Sequence, residues 1–123
     1  MIRKFATGGT RDTSAGKIDP EGFLSPIVIQ AFSEYMLKHQ KQADGTMRQS
    51  DNWQKLFGTP DEHRAVCMKS LWRHFLDLWL IHDGYKARIE KGEHVNIDDA
   101  LNGIIFNAMV YYFSILKDRK EKE

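Results

Sequence analysis

The chain has 123 residues, with 18 Lys and Arg against 17 Asp and Glu, and its formal net charge is +1. This length corresponds to one domain, and the balanced charge argues against bulk capture of nucleic acid or of an anionic membrane. No run approaches the ~18–20 apolar residues of a membrane span, and the polar N-terminus lacks the apolar region of a secretory signal. Cys67 has no second cysteine to pair with. We expect a single cytoplasmic globular domain over residues 1–123.

The first 25 residues have no helical periodicity, because glycines and prolines interrupt it: Gly8, Gly9, Gly16, Pro20, Gly22 and Pro26. We expect an irregular segment here, with room for a short strand. A first helix should begin at Ser25-Pro26, where serine is a good N-cap and proline suits the first turn, and should end near Gln42. Residues 44–58 are polar and predict a loop.

The second helix is predicted from Thr59-Pro60 to Asp83, with Gly84 as the residue that ends it. The charged segment 86–93 fits either a helical extension or a loop. A third helix should begin near Asn96 and continue to about Lys117, followed by a charged tail, 117–123, that frays. No period-2 alternation is long enough for a sheet, so the chain predicts an all-α bundle of about three main helices.

Polar side chains interrupt the apolar second helix at Arg73, His74 and Asp77. A buried carboxylate is costly unless it is paired or binds a cation. The spacing allows an Asp77–Arg73 or His74–Asp77 pair that sets helix packing, or a polar strip that holds a metal or a ligand. Both interpretations remain open.

The third helix has comparable interruptions. Asn107 lies in an apolar run, so its amide needs a specific partner, and Gly103 suggests close helix approach or room for a ligand. Asp98 and Asp99 either stabilise the helix N-terminus or face the His74/Asp77 strip.

Large apolar residues cover nearly all sides of the third helix. A helix of this kind must be buried all round, which three helices in one chain can hardly achieve. We therefore predict a homodimer or homotetramer with the third helix at the interface. The residues concerned are Ile104, Ile105, Phe106, Met109, Val110, Tyr111, Tyr112 and Phe113.

Several short segments occur in an order that resembles a phage domain family. They are Gly9-Thr10-Arg11-Asp12 with Gly16-Lys17, Glu21-Gly22-Phe23-Leu24-Ser25-Pro26, Ser50-Asp51-Asn52-Trp53-Gln54-Lys55, Ser70-Leu71-Trp72-Arg73-His74 and Phe106-Asn107-Ala108. Together they resemble the dATP/dGTP diphosphohydrolase (MazZ-like) family, which is related to all-α MazG-type pyrophosphohydrolases. The resemblance implies cleavage of a nucleoside triphosphate to monophosphate and pyrophosphate in the host cytoplasm.

The related MazG-type enzymes hold their metal with carboxylates in an E-E-x-x-E … E-x-x-D pattern on two helices. This sequence has no adjacent Glu-Glu pair and no ExxE. The nearest substitutes are Glu34 on the first helix, His74 and Asp77 on the second, and Asp98 or Asp99 on the third. The resemblance thus implies Asp77 and Glu34 as catalytic residues, and His74, Asp77, Asp98 and Asp99 as ligands for Mg²⁺, Mn²⁺ or Co²⁺.

A nucleotide ligand also needs cations for its phosphates and flat or amide groups for its base. The phosphate candidates are Arg11, Lys17, Arg48, Lys55 and Arg73. Trp53 or Tyr85 suits stacking on a base, Asn52 or Asn107 suits hydrogen bonding to its edge, and Trp53 equally suits packing on the helices. A binding protein that sequesters a nucleotide without cleaving it is the main alternative function, and a structural or host-interaction protein is the third.

Overall fold

In the computed structural model the described residues are 2–4, 8–12 and 16–122. Three long helices carry the fold: α2 (Pro26–Gln40), α3 (Pro60–His82) and α4 (Ile97–Glu121). A short helix, α1 (Pro20–Phe23), precedes α2. The strands are short and form two antiparallel pairs, β1 (Ile2–Lys4) with β2 (Thr10–Asp12), and β3 (Ile89–Glu90) with β4 (Glu93–His94). The prediction of a mainly helical fold is confirmed.

All three long helices begin where the sequence predicts, because each has a side chain that caps it. The hydroxyl of Ser25 accepts a hydrogen bond from the backbone of Val28 at 3.3 Å. Thr59 and Glu62 form a reciprocal capping box at 3.2 Å in each direction. The third cap is supplied by Asn96, whose side chain accepts from an amide of the first α4 turn at 2.8 Å. These caps satisfy amides that have no partner inside the helix.

The ends of α3 and α4 differ in how well the sequence predicted them. Gly84 has φ +85° and follows α3 as predicted. The backbone amides of Gly84 and Tyr85 donate to Ile81 and Leu80, which forms a Schellman motif. Helix α4 runs four residues beyond the predicted Lys117, to Glu121. Pairs at i,i+4, Lys117–Glu121 at 4.0 Å and Asp118–Lys122 at 3.2 Å, stabilise this last turn.

The segment left open between loop and helix is a β-hairpin. Strands β3 and β4 are joined by Lys91 and Gly92, whose φ angles are +51° and +83°. Two consecutive positive φ angles are typical of the type I′ turn that suits a two-residue hairpin loop. The antiparallel pairing extends one residue beyond the strands, because the backbone amide of Val95 donates to the carbonyl of Arg88 at 2.9 Å.

Helices α3 and α4 form an antiparallel hairpin that contains the core. At one end Arg64 of α3 donates to the hydroxyl and carbonyl of Ser114 at 2.9 and 3.2 Å, and nearer the other end His74 lies against Gly103. The fully or nearly buried side chains of this pair are mostly polar, and we call them the polar core: His63, Asp77, Asn102, Asn107 and Ser114. Helix α2 lies mainly against α4 and has no buried residue.

Within one chain, helix α4 is not buried on all sides. One side faces α3, and Phe106, Met109 and Val110 face α2, whereas Tyr112 remains 58% exposed on the outside. By length and composition alone, α4 meets the criteria for a membrane-crossing helix, with a mean hydropathy of 1.2 over its most apolar window. A core helix of a water-soluble protein meets the same criteria.

Candidate ligand-binding site

The buried carboxylate of Asp77 is held by an arginine from outside its own helix. Asp77 is 0% exposed, and Arg88 donates to its two oxygens through Nε at 2.9 Å and Nη2 at 2.8 Å. The backbone amide of Arg88 adds a third hydrogen bond at 3.3 Å. Hydrogen bonding to Asp77 raises the pKa of Arg88 above its usual value. A carboxylate engaged on both oxygens in this way sets the position of the β3–β4 hairpin against α3.

Neither of the two intrahelical partners predicted for Asp77 forms a hydrogen bond or an ion pair with it among the described residues. Arg73 donates to the hydroxyl of Ser70 at 2.9 Å and is exposed. The Nδ1 atom of His74 is buried and has no hydrogen-bond partner among the described residues. Burial lowers the pKa of His74 below its usual value, so the neutral imidazole is favoured.

Gly103 explains how α4 approaches His74 so closely. A Cβ atom built at Gly103 would lie 2.5 Å from Nδ1 and 2.6 Å from Cε1 of His74. Real Cβ atoms do not come this close, so only glycine allows the imidazole to lie flat against the α4 backbone. Of the two interpretations of this mid-helix glycine, the structure supports close helix approach.

The other acidic candidates do not converge on Asp77. Asp99 pairs with Lys38 of α2 at 3.3 Å, and Asp98 is exposed in the first turn of α4. Glu34 is exposed on α2, where it accepts from Gln30 at 3.5 Å. Within the described part of the chain, no group of three or more His, Cys, Asp or Glu side chains is placed to hold a metal ion. The predicted ligands His74, Asp77, Asp98 and Asp99 are therefore not assembled into one such group among these residues.

A cleft of about 900 Å³ separates α2 from the α3–α4 hairpin. We call it the central cleft. Its volume is within the ~300–1,000 Å³ range of small-molecule sites. Residues 32–40 of α2 form one wall, 66–74 of α3 and 106–110 of α4 form the other, and 48–57 of the loop close one side. Its polar and aromatic lining includes Tyr35, Arg48, Asn52, Trp53, His74 and Asn107.

The loop that follows α2 has enough local structure to position its side of the cleft. Gln40 and Arg48 exchange two hydrogen bonds, Arg48 N to Gln40 O at 2.9 Å and Gln40 Nε2 to Arg48 O at 2.6 Å. A single 3₁₀ turn over Asn52–Gln54 then turns Trp53 inward. The ring of Trp53 meets Phe113 of α4 edge-on, with centroids 5.0 Å apart. Trp53 thus packs on the helices, as one interpretation expected, and also lines the cleft.

The α4 wall of the cleft supplies a buried amide, and the α2 wall supplies two aromatic rings. Nδ2 of Asn107 donates to the carbonyl of Gly103 at 2.8 Å. On α2, the rings of Tyr35 and His39 lie 4.4 Å apart. Burial raises the pKa of Tyr35 and lowers that of His39, so both groups are favoured in their neutral forms.

Some of the residues predicted to bind a ligand line the central cleft, and the others do not. Arg48, Asn52, Trp53 and Asn107 all line the central cleft, together with His74. The others do not line it. Lys17, Lys55, Arg73 and Tyr85 are exposed elsewhere, and the side chain of Arg11 is outside the described residues.

Several further lining residues were missed by the sequence analysis, among them Tyr35 and His39 of α2. The periodicity of α2 marks Tyr35 as inward-facing, but an inward aromatic residue normally indicates core. Its role as a cleft wall depends on α2 being held away from α3, and no local pattern reports that distance.

The charge of the cleft lining is one-sided. None of the described lining residues is Asp or Glu, and Arg48 supplies a positive charge. The guanidinium of Arg48 has no ion pair within the described residues. An anion carrying a flat, hydrogen-bonding group matches this lining better than a cation does.

No protein-family model matches this chain, and neither a curated protein nor a solved structure matches it.

Proposed function

We propose that this protein binds a nucleoside phosphate in the central cleft, on a fold of the MazG-like type. The observation that carries the proposal is the lining itself, because one arginine, four side-chain amides and several aromatic rings meet in a cleft of about 900 Å³ without a carboxylate among its described residues. The family resemblance in the sequence supports the same class of ligand.

The base would lie at the aromatic end of the cleft. Trp53 and Tyr35 stand on the loop and on α2, and both expose ring surface to the same space. Stacking of a base on an aromatic side chain contributes about 1–3 kcal/mol. Asn52 and Asn107 carry amides that can donate to and accept from a base edge, which would favour one base over another.

The phosphates would lie toward Arg48, on the side of the cleft that the loop lines. A guanidinium pairs well with phosphate oxygens because it donates two parallel hydrogen bonds. The turn that ties Arg48 to Gln40 holds the arginine backbone beside the end of α2. This position requires little ordering of the loop on binding, so less binding energy is lost.

Sequestration without cleavage fits the described residues better than metal-dependent hydrolysis does. A triphosphate hydrolase of the implied kind needs carboxylates to hold its cations. Asp77 is engaged by Arg88, Asp99 pairs with Lys38, and neither lines the central cleft. Diphosphohydrolase activity and its divalent cation therefore stay predictions from the resemblance, and the experiment below includes them as outcomes.

Isothermal titration calorimetry with dGTP and dATP, with and without Mg²⁺ or Mn²⁺, tests the proposal. The matched pair of variants is Arg48→Gln and Lys55→Gln, since both residues are exposed loop cations but only Arg48 lines the cleft. We expect Arg48→Gln to weaken binding about tenfold or more, as loss of a charge-assisted hydrogen bond costs about 1.5–3 kcal/mol. Lys55→Gln should bind as the unmodified chain does.

Chromatography of the ligand after titration separates the two functions. Intact triphosphate supports sequestration, whereas monophosphate with pyrophosphate assigns the hydrolase activity instead. Absence of binding heat and of any thermal shift at millimolar nucleotide would contradict a nucleotide site of either kind. Equal weakening by both variants would place the phosphates outside the central cleft.

A further inference from the structure

Helix α3 is apolar on the side that faces away from the rest of the chain. Its inner side carries His63, Cys67, His74 and Asp77, all buried or partly buried. Its outer side carries four large apolar residues at spacings of four, three and four, which place them along one line. They are Met68, Trp72, Phe75 and Trp79, with exposures of 41, 66, 47 and 57%. We call these four residues the outer strip.

The outer strip faces no other element among the described residues. Trp72 and Phe75 meet edge-on at 6.3 Å, and Phe75 and Trp79 lie 6.5 Å apart. Among the described residues, the aromatic pairs that these three rings form are with each other along the strip. Single exposed apolar residues are common on protein surfaces, but a continuous strip of this kind marks an interaction site.

We propose that the outer strip binds the outer strip of a second copy of this chain, with the two α3 helices antiparallel about a two-fold axis near Leu76. This interface lies on another face of α3 from the central cleft, so it is independent of the proposed nucleotide site. It also differs from the interface on α4 that the sequence predicts.

The shape of the strip is suited to self-association. A hollow of about 380 Å³, lined by Phe75, Leu78, Trp79 and His82, lies one turn beyond the most exposed side chain, Trp72. In an antiparallel pair centred near Leu76, Trp72 of each copy faces the hollow of the other. A two-fold interface requires this kind of self-complementarity, in which one patch contains both the projection and its receptor.

Charge supports the same arrangement. An axis near Leu76 places Lys69 opposite Asp83 of the second copy, and the reverse contact follows by symmetry. Neither residue forms an ion pair within the part of the chain that is described. An antiparallel pair also sets the positive end of each helix dipole beside the negative end of the other.

The available area reaches the size that a stable dimer requires. At about 150–250 Å² for each large side chain, the exposures of the outer strip and of Leu76 amount to on the order of 500 Å² per copy. Two copies would bury on the order of 1,000 Å² in total, which equals the lower limit for a specific interface.

Light scattering coupled to size-exclusion chromatography tests the interface with two substitutions of similar chemistry. Trp72→Glu puts a charge on the outer strip, and Ile27→Glu puts one on α2 at a residue that is 79% exposed and does not line the central cleft. We expect the unmodified chain and Ile27→Glu to be dimers at micromolar concentration, and Trp72→Glu to be a folded monomer with unchanged helical circular dichroism. A monomeric unmodified chain, or a dimer that survives Trp72→Glu, would overturn the proposal.

Oxidative cross-linking tests the position of the axis and does not depend on whether Trp72→Glu folds. Leu76→Cys and Leu101→Cys replace leucines that are 41% and 42% exposed, on α3 and α4 respectively. A disulfide between copies requires Cα atoms within about 7 Å, a condition that only residues beside the axis meet. Leu76→Cys should form a disulfide dimer and Leu101→Cys should not, while Cys67, 3% exposed, gives the background.

The opposite cross-linking result would move the interface to α4 and contradict the proposal. Sedimentation of the unmodified chain with vesicles of neutral or anionic phospholipid, as a monomer, would contradict it also and would assign the outer strip to a lipid surface.

Discussion

The α3–α4 hairpin and helix α2 are held by different kinds of contact. On α3, the fully buried carboxylate of Asp77 is bonded through both oxygens by Arg88, which precedes the β3–β4 hairpin. The polar core lies between α3 and α4. Helix α2 has no buried residue and is linked to α4 by one ion pair, Lys38–Asp99, among the described residues. The α3–α4 hairpin thus carries most of the stability. Helix α2 forms a wall of the central cleft and can move at a low cost in free energy.

The largest effect is expected at the buried ion pair. Arg88→Met leaves the carboxylate of Asp77 buried without its partner, and breaking a buried pair in this way costs about 3–5 kcal/mol. The free energy of unfolding from urea titration measures the loss. Arg73→Met is the matched control, because Arg73 is exposed and bonds only to Ser70, and it should cost less than about 0.5 kcal/mol. A larger loss in Arg73→Met would restore the intrahelical partner that the sequence suggested.

The predicted and observed partners of Asp77 show what a sequence can and cannot predict. A carboxylate in an apolar helix needs a partner, so the sequence predicts a pair or a cation there. The partner itself, Arg88, lies eleven residues away and is positioned by a turn after α3 and by the β3–β4 hairpin. A pairing that depends on two consecutive turns cannot be read from i,i+3 or i,i+4 spacing.

The helices were predictable because their signals are local. Ser25, Thr59 and Asn96 each cap a helix through an amide three residues away, so a few residues determine each start. The candidate site is less predictable for the opposite reason. Arg48 and Asn107 lie far apart in sequence. They line one cleft only because of how α2 and its following loop pack beside the α3–α4 hairpin.

The second largest effect is expected where α4 approaches α3. Gly103→Ala places a methyl group 2.5 Å from Nδ1 of His74, and the strain of such overpacking costs about 1–3 kcal/mol. The higher helix propensity of alanine offsets about 1 kcal/mol of this cost, so we expect a net loss of up to about 2 kcal/mol.

A double-mutant cycle gives the control for this close approach. If the clash with the imidazole causes the loss, Gly103→Ala should cost much less in a His74→Ala background. An equal cost in both backgrounds would show that the α4 backbone needs glycine for another reason.

A smaller effect is expected from acid, and it concerns the buried histidine at the start of α3. His63 is 1% exposed, and its Nδ1 accepts a hydrogen bond from the backbone of Phe57 at 3.2 Å. Burial, assisted by neighbouring Arg64, lowers the pKa of His63 below its ordinary value of about 6.5. The unfolded chain therefore binds more protons in the acid range, and the free energy of unfolding falls as pH drops from about 7 through the lowered pKa.

Urea titrations at several pH values test this dependence. Asn keeps an acceptor but does not titrate, so His63→Asn should flatten the fall in stability between about pH 7 and pH 5. His39 and His74 also have pKa values lowered mainly by burial, so part of the slope should remain in His63→Asn.

The smallest effect is expected at the contact that holds α2. The Lys38 side chain is 62% exposed, and an exposed pair of this kind contributes about 0–1 kcal/mol. Lys38→Met should therefore leave global stability almost unchanged, but it should speed amide hydrogen exchange in α2 more than in α3 or α4. The same acceleration should follow from raised salt in the unmodified chain, because salt screens exposed charges. Uniform exchange across all three helices would mean that α2 unfolds only with the hairpin, and the wall of the central cleft would then be as rigid as the core.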